Sequence, residues 1–245
     1  MIAIVGHPIL AIDVAGPRLA GLVAAIATTA TTAGGAVEVI GKVGEDPDGD
    51  AVLLALARAG IGHAATLRDP AHRTQVVRAG PRGDAEPKAQ APSGPEDAPP
   101  AGLLDDDGDD DADPWWIPRD SIEPSDPAER PALDIADVEL ALRYLPDVTV
   151  VVLVEPADGL SSLTAAEASA AGAHLVVILG SGSARTTEIE GLPRDALVLS
   201  APDGSGPTTF ATLVGRYAAL IDTGSEPSRA FQAVLGDRSA ERAAP

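Results

Sequence analysis

Residues 40 to 50 read Ile40-Gly41-Lys42-Val43-Gly44-Glu45-Asp46-Pro47-Asp48-Gly49-Asp50, and this stretch joins a strand to a helix. On its amino-terminal side, residues 37–43 are rich in valine and isoleucine and predict a strand closed by Gly44. On its carboxyl-terminal side, Asp48 can cap a helix that stops at Gly60, because glycine readily takes the left-handed conformation that ends helices. The stretch is therefore the acidic turn of a strand-turn-helix unit.

The elements on either side of this turn keep alternating between strand and helix. Before it, Ile2–Val5 is a short apolar run typical of a buried strand, and residues 17–32 predict a helix. After it, the apolar pattern predicts strands at 74–77, 148–154, 175–179 and 196–199, and helices at 135–145, 164–171, 207–222 and 227–235. Such alternation predicts an α/β protein with a doubly wound, mainly parallel sheet, whose ligands bind at the carboxyl ends of the strands.

Residues 78–131 differ in composition from the rest of the chain. They are rich in Pro, Gly, Asp and Glu with little aliphatic periodicity, and residues 105–113 are nearly pure aspartate. We expect a disordered or loosely held acidic insert within a single domain that spans residues 1–245. Trp115 and Trp116, the only tryptophans, follow the aspartate run and are candidates for docking on the folded body or on a protein partner.

The charge and the missing residue types exclude several classes of function. A formal net charge of -20 repels nucleic-acid phosphates and anionic lipid, so we expect neither nucleic acid nor a membrane as a partner. The absence of cysteine removes disulfides, thiolate catalysis and zinc-thiolate sites. The apolar run Ile2–Val5 is not preceded by the positively charged residues with which a signal peptide begins. These features together favour a cytoplasmic protein.

Other motifs for chemistry are incomplete. The run at residues 105–111 lacks the ligand spacing of an EF-hand loop, so a solvated acidic tract is expected there. The four histidines contain no i, i+4 pair, and no metal site is predicted. Only Gly6 follows the first strand, which removes the G-x-G-x-x-G fingerprint of a dinucleotide-binding protein.

The opening third of the chain resembles the ribokinase (PfkB) carbohydrate kinase family. That family has a G-x-V-G-x-D-x-x-G turn, a long helix, an "AGI" or "EGV" step and a threonine that opens the next strand, and the matching residues here are 41–49, Ala59-Gly60-Ile61 and Thr74. The resemblance covers residues 2–77 well, residues 135–234 loosely and the insert not at all. It implies a three-layer α/β/α fold of the ribokinase type, with a lid that is reduced or absent because the lid strands would fall in the insert. The alternative is a generic strand-turn-helix unit with an acidic turn.

On the substrate side, the resemblance implies roles for Asp13 and Gly21. Asp13 matches the aspartate of the family's opening loop that hydrogen-bonds sugar hydroxyls, with a solvated loop carboxylate as the alternative. The family's G-G-x-x-x-N motif falls on Ala20-Gly21 and Ala25, so its asparagine is missing, and the chain contains no asparagine at all.

On the phosphate side, residues 201–207 lie where the family has D-T-T-G-A-G-D before a helix. Gly204, Ser205 and Gly206 keep a turn whose N–H groups can hold phosphate oxygens at a helix N-terminus, with an ordinary turn and helix cap as the alternative. The family's catalytic aspartate falls on Pro207, and a shift of one residue brings only Thr208 into place. Loss of a positioned base costs about a hundred- to ten-thousand-fold in rate. Asp203 is the remaining carboxylate that could replace it.

Two functions remain as hypotheses. The first is a catalytically impaired or inactive protein that keeps the kinase scaffold to bind a sugar, a nucleotide or a protein partner. The second is an active sugar or nucleoside kinase that uses ATP and Mg²⁺. The missing asparagine, the replaced aspartates and the short section between residues 179 and 196, which cannot hold the family's nucleotide motifs in full, favour the first.

Overall fold

The computed structural model describes residues 1–78, 121–157, 159–180, 192–202 and 207–243, with no side-chain detail for Pro207 and residues 237–243. The strands in this part of the chain are β1 (Ile2–Val5), β2 (Ile9–Asp13), β3 (Gly16–Ala20), β4 (Val37–Gly44), β5 (Thr66–Asp69), β6 (Val76–Arg78), β7 (Ile122–Glu123), β8 (Val150–Val154), β9 (His174–Leu179) and β10 (Leu197–Ser200). The α-helices are α1 (Gly21–Thr32), α2 (Pro47–Arg58), α3 (Ile135–Tyr144), α4 (Leu160–Ala171), α5 (Pro207–Asp222) and α6 (Pro227–Ala243). None of the helices in these ranges is long and apolar enough to cross a membrane.

Six parallel strands form the large sheet in the order β10-β9-β8-β1-β4-β5. The central strand β1 pairs on one side with β4, where Ile2 lies opposite Val37, and on the other with β8, where Ile2 lies opposite Val150. Every residue of β1, β8 and β9 is buried, as expected for strands that are covered on both faces. The predicted parallel α/β sheet is confirmed.

Helices cover both faces of the large sheet. Ile2 and Ile4 of β1 point to one face and belong to a core that also contains residues of α1, α2, α5 and α6. Ala3 and Val5 point to the other face and belong to a second core with residues of α3 and α4. The result is the three-layer arrangement that the alternating pattern predicts.

A second, smaller sheet has the strand order β3-β2-β6-β7. Strands β2 and β3 form an antiparallel hairpin, β2 pairs in parallel with β6, and β6 pairs with β7 in antiparallel fashion. The sequence indicated that this layer would be reduced or absent. It is present in short form, with three residues in β6 and two in β7.

Two sequence predictions need correction near this small sheet. The helix expected over residues 17–32 begins only at Gly21, because the preceding residues pair with β2 as strand β3. The predicted insert ended at residue 131, yet Ile122 and Glu123 form β7 and Pro127–Glu129 forms a single 3₁₀ turn. Residues 79–120, which include Trp115 and Trp116, lie outside the described residues. Strand β5 was not predicted, since its alternation is interrupted by the polar pair Arg68 and Asp69.

Candidate functional site

A cavity of about 300 Å³ lies between the carboxyl ends of β1 and β8 and the small sheet. Four polar side chains line it, and each comes from a different segment of the chain: His7, Gln75, Arg130 and Glu155. The apolar part of the wall comes from both sheets, from α1 and from the segment after β7: Ile9, Leu22, Val23, Ile122, Pro127, Pro131, Ala132 and Val154. In open α/β sheets, ligands bind at this end of the strands.

His7 is the second residue after β1 and forms part of the cavity wall. The Gly6 N–H donates to the Ile40 carbonyl (3.0 Å), and a Cβ at Gly6 would lie 2.8 Å from Val23 Cγ2, so glycine allows the chain to pass close to α1 here. The Nδ1 atom of His7 is buried and has no hydrogen-bond partner among the described residues. Burial, followed by the positive charge of Arg130, lowers the pKa of His7 below its ordinary value. The imidazole is therefore neutral near pH 7, so one ring nitrogen can donate and the other can accept a hydrogen bond.

Arg130 is held in place by the loop that it closes. Its Nε donates to the Pro124 carbonyl (2.7 Å), and its Nη2 donates to the carbonyls of Ile122 (3.1 Å) and Ser125 (3.3 Å). The three acceptors are neutral, and Arg130 forms no ion pair with a carboxylate in the described ranges. The guanidinium group is thus held by neutral acceptors, and Arg130 belongs to the cavity lining.

Glu155 follows β8 directly and has a left-handed backbone with a φ of 47°. Its N–H donates to the Ile178 carbonyl on β9 (2.8 Å), which fixes the turn at the end of the strand. A positive φ is unfavourable for a residue with a side chain, and strain of this kind is concentrated at functional sites. The turn places a carboxylate in the same cavity as Arg130.

The turn between β4 and α2, which carries the sequence resemblance, is a structural junction next to this cavity. Asp46, rather than the predicted Asp48, caps α2: its Oδ1 accepts from the Gly49 N–H (2.7 Å) and from Thr74 Oγ1 (2.7 Å), and its Oδ2 accepts from the Thr74 N–H (2.9 Å). Partial burial raises the pKa of Asp46, but these hydrogen bonds outweigh it and hold the pKa below its ordinary value. Because Gln75 follows Thr74 in the chain, the junction also fixes one residue of the cavity wall.

The predicted substrate residues Asp13 and Gly21 occupy different environments. Asp13 ends β2 at the hairpin turn, where its carboxylate accepts from the Ala15 N–H (2.8 Å) and from Arg18 Nε (3.3 Å). These two hydrogen bonds lower the pKa of Asp13, and the residue is not part of the cavity lining. Gly21 begins α1 with a φ of 78°, directly before two residues of the cavity wall. Binding of a sugar by either residue stays a prediction.

The predicted phosphate-binding turn cannot be placed from the described residues. Asp203, Gly204, Ser205 and Gly206 all lie outside them. The flanking segments do have the expected positions, because β10 ends at Ser200 and α5 begins at Pro207. The described residues also contain no group of three or more histidine, aspartate or glutamate side chains placed to hold a metal ion, so no magnesium ligands are assigned.

Sequence reasoning missed all four polar residues of the cavity. A signal existed for His7 and Glu155, since each lies just beyond a strongly apolar strand, at the end where parallel sheets bind ligands. Gln75 fell inside a predicted strand, and Arg130 fell inside the predicted insert. Their positions depend on contacts between segments that are distant in the sequence: Asp46 with Thr74 for Gln75, and the carbonyls of the loop after β7 for Arg130.

The fold defined by the two sheets is that of ribokinase-like sugar kinases. No family profile matches the sequence, and no curated protein matches it either. Among solved structures, an Escherichia coli protein designated Ribokinase II, in complex with ATP and Mg²⁺, is 13% identical with a TM-score of 0.56, over 95% of this chain and 89% of that protein. Its apo form gives a TM-score of 0.55 at 13% identity, over 95% and 90% of the two chains.

A second solved structure is similar to this protein over only about half of its own length. A sugar kinase from Pyrococcus horikoshii is 13% identical with a TM-score of 0.43, over 72% of this chain and 52% of that kinase. The chain therefore spans about half the length of that kinase. The E. coli comparison confirms the ribokinase-like fold.

Proposed function

We propose that this protein binds a small polyhydroxylated molecule in the cavity between its two sheets and is impaired in phosphoryl transfer. The observation that carries this proposal is the convergence of His7, Gln75, Arg130 and Glu155 on one cavity of about 300 Å³ at the carboxyl ends of β1 and β8. A cavity of that volume is at the small end of the range for ligand sites, which suits a monosaccharide or a molecule of similar size.

The chemistry of the wall matches a molecule rich in hydroxyl groups. Arg130 donates hydrogen bonds, Glu155 accepts them, and the Gln75 amide and the His7 imidazole can do both. Each hydroxyl of a sugar is both a donor and an acceptor, so a mixed wall can satisfy several of them at once. The aliphatic side chains of Ile9, Leu22 and Val154 offer contact to the C–H faces of such a ring.

Impaired catalysis rests on the position of the missing base. Where the family resemblance places the proton-accepting aspartate, the first residue of α5 is Pro207, which has no ionisable side chain. An active kinase that uses ATP and Mg²⁺ would need Asp203, or another carboxylate, to accept the proton from the sugar hydroxyl. The E. coli Ribokinase II structure contains ATP and Mg²⁺, which makes nucleotide the natural second ligand to test. A protein partner that contacts Trp115 and Trp116 is a separate prediction from the sequence.

The test is a calorimetric and thermal-shift titration of the full chain with a panel of monosaccharides and nucleosides, with and without ATP and Mg²⁺. We expect at least one polyhydroxylated compound to bind, and His7→Ala and Gln75→Ala each to weaken its binding at least about tenfold through loss of a buried hydrogen bond. His63→Ala, whose imidazole contacts the Ile61 carbonyl and does not line the cavity, is the matched control.

Two results would contradict the proposal. Binding that is unchanged in both cavity variants would place the ligand elsewhere, and a panel without any binding compound would remove the ligand site. Impaired catalysis is checked by ATP turnover: sugar-dependent turnover that disappears in Asp203→Ala would establish the active kinase instead.

A further inference from the structure

The charges of the side chains that line the cavity indicate which charge the ligand carries, which the volume of the cavity does not. Arg130 brings a full positive charge, and the three groups that hold its guanidinium are backbone carbonyls, which are neutral. Its bonds use Nε and Nη2, so the Nη1 side makes no hydrogen bond with a described residue. Partly buried charges gain from an ion pair, and no carboxylate of the described residues lies within 4.0 Å of the Arg130 guanidinium.

The rest of the cavity can bind hydroxyl groups. The imidazole of His7 and the buried side chain of Gln75 lie in the same wall, and Glu155 adds a carboxylate acceptor. Glu155 favours hydroxyl donors and repels an anion, so an anionic group of the ligand is best placed towards Arg130 and its hydroxyls towards Glu155 and His7. The lining thus combines one positively charged side chain with side chains that accept hydrogen bonds.

We infer that the ligand is a polyhydroxylated carboxylate, that is, a sugar acid, whose carboxylate pairs with Arg130 while its hydroxyls bind His7, Gln75 and Glu155. This inference rests on the proposed function and narrows it from polyhydroxylated molecules in general to those with one carboxylate. A guanidinium group that is held by its own loop is well suited to the task, because little conformational freedom is lost when the carboxylate binds.

The experiment compares matched acids and neutral sugars by isothermal titration calorimetry with the full chain. The pairs are D-gluconate with D-glucitol, D-glucuronate with D-glucose, and D-galacturonate with D-galactose. We expect at least one acid to bind about tenfold or more tightly than its neutral partner, since a charge-assisted hydrogen bond is stronger than a neutral one. Addition of NaCl should weaken binding of the acid more than binding of the neutral sugar.

Two variants locate the charge. Arg130→Gln should bring the affinities of acid and neutral sugar to within about threefold, because it removes the one positive charge among the described residues that line the cavity. Since Arg130 also holds its loop, Glu155→Gln is the second variant: it removes the opposing charge, and acid binding should become tighter while binding of the neutral sugar does not. Urea unfolding of each variant checks that it is folded.

The outcomes separate this inference from the proposed function. Equal affinity for acids and neutral sugars overturns the inference and leaves the proposed function standing. Acid binding that is insensitive to both variants overturns the placement of the carboxylate at Arg130. If neither acids nor neutral sugars bind, the proposed function fails together with the inference.

Discussion

At the residue scale, the Asp46 carboxylate ties the turn between β4 and α2 to Thr74, 28 residues further along the chain. It accepts hydrogen bonds from Gly49 in α2 and from both the N–H and the hydroxyl of Thr74, just before β6. The Thr74 hydroxyl oxygen also accepts from the Gly44 N–H (2.9 Å) at the end of β4. Removal of the carboxylate therefore leaves several donors without an acceptor in a place with little access for water.

We expect Asp46→Ala to lower the free energy of unfolding by about 2–4 kcal/mol, since a helix cap and the bonds to Thr74 are lost together. Asp50→Ala is the matched control, because Asp50 is an exposed carboxylate in the same first turn, where it pairs with Arg68. The control should cost less than about 1 kcal/mol. Urea unfolding monitored by circular dichroism measures both, and similar losses would show that the junction is not the source of the stability.

At the element scale, helices α1 and α5 lie so close together that their contact excludes a side chain at Gly215. A Cβ at this position would lie 2.8 Å from Thr29 Cβ and 2.9 Å from the Ile26 carbonyl oxygen. Residues of both helices belong to the core on the Ile2 and Ile4 face of the large sheet. The distance between the helices is therefore set by the absence of a side chain at one position.

Substitution of glycine by alanine should have opposite effects in α5 and α6. Gly215→Ala should lower the free energy of unfolding by about 1–3 kcal/mol, because overpacking against α1 outweighs the gain in helix propensity. Gly236→Ala, where a Cβ would meet no atom within 4 Å, should raise it by about 0.5–1 kcal/mol. Thermal unfolding of both variants gives the sign of each change in the free energy of unfolding. A stabilised Gly215→Ala protein would contradict the prediction and mean that the helices can separate at no cost.

The elements also show what can and cannot be predicted from sequence. The apolar runs of β1 and β8 and the one-sided pattern of α5 are encoded locally, and they were predicted within two residues of their bounds. Strand β3 of the small sheet was not predicted, because residues 16–20 are followed by a helical pattern and pair with β2 only in the tertiary structure. The same holds for the candidate site. Arg130 becomes a cavity residue only because carbonyls of its own loop hold it, and a charge within an acidic, proline-rich segment gives no sign of that.

At the scale of the whole molecule, the chain builds the small sheet from both sides of the acidic segment. Strands β6 and β7 are antiparallel neighbours, with Val77 opposite Ile122, so residues 79–120 connect two adjacent strand ends. The segment from Ile122 to Pro131 belongs to the sheet and the cavity wall, although its composition resembles the acidic segment.

Replacement of residues 79–120 by a two-residue Asn-Gly turn should leave a folded protein of equal or higher stability. A short type I′ turn fits two antiparallel strands, and shortening a long connection reduces the entropy cost of closing it. Cooperative urea unfolding and the far-ultraviolet circular dichroism spectrum provide the measurement. A matched deletion of residues 78–131 removes β7 and Arg130 and should abolish binding at the cavity. Loss of cooperative unfolding in the shorter deletion would show that residues 79–120 are part of the folded core.

The central position of β1 has a consequence for how the chain folds during synthesis. One edge of β1 is covered once β4 has been made, but the other edge pairs with β8, where Ile2 lies opposite Val150. At about 5–20 residues per second, the ribosome needs roughly 8 to 30 seconds to reach that strand. During this time a fully apolar strand has an open edge, which is the kind of surface that recruits other chains. We therefore expect this edge of β1 to be open to pairing with other chains until β8 has been synthesised.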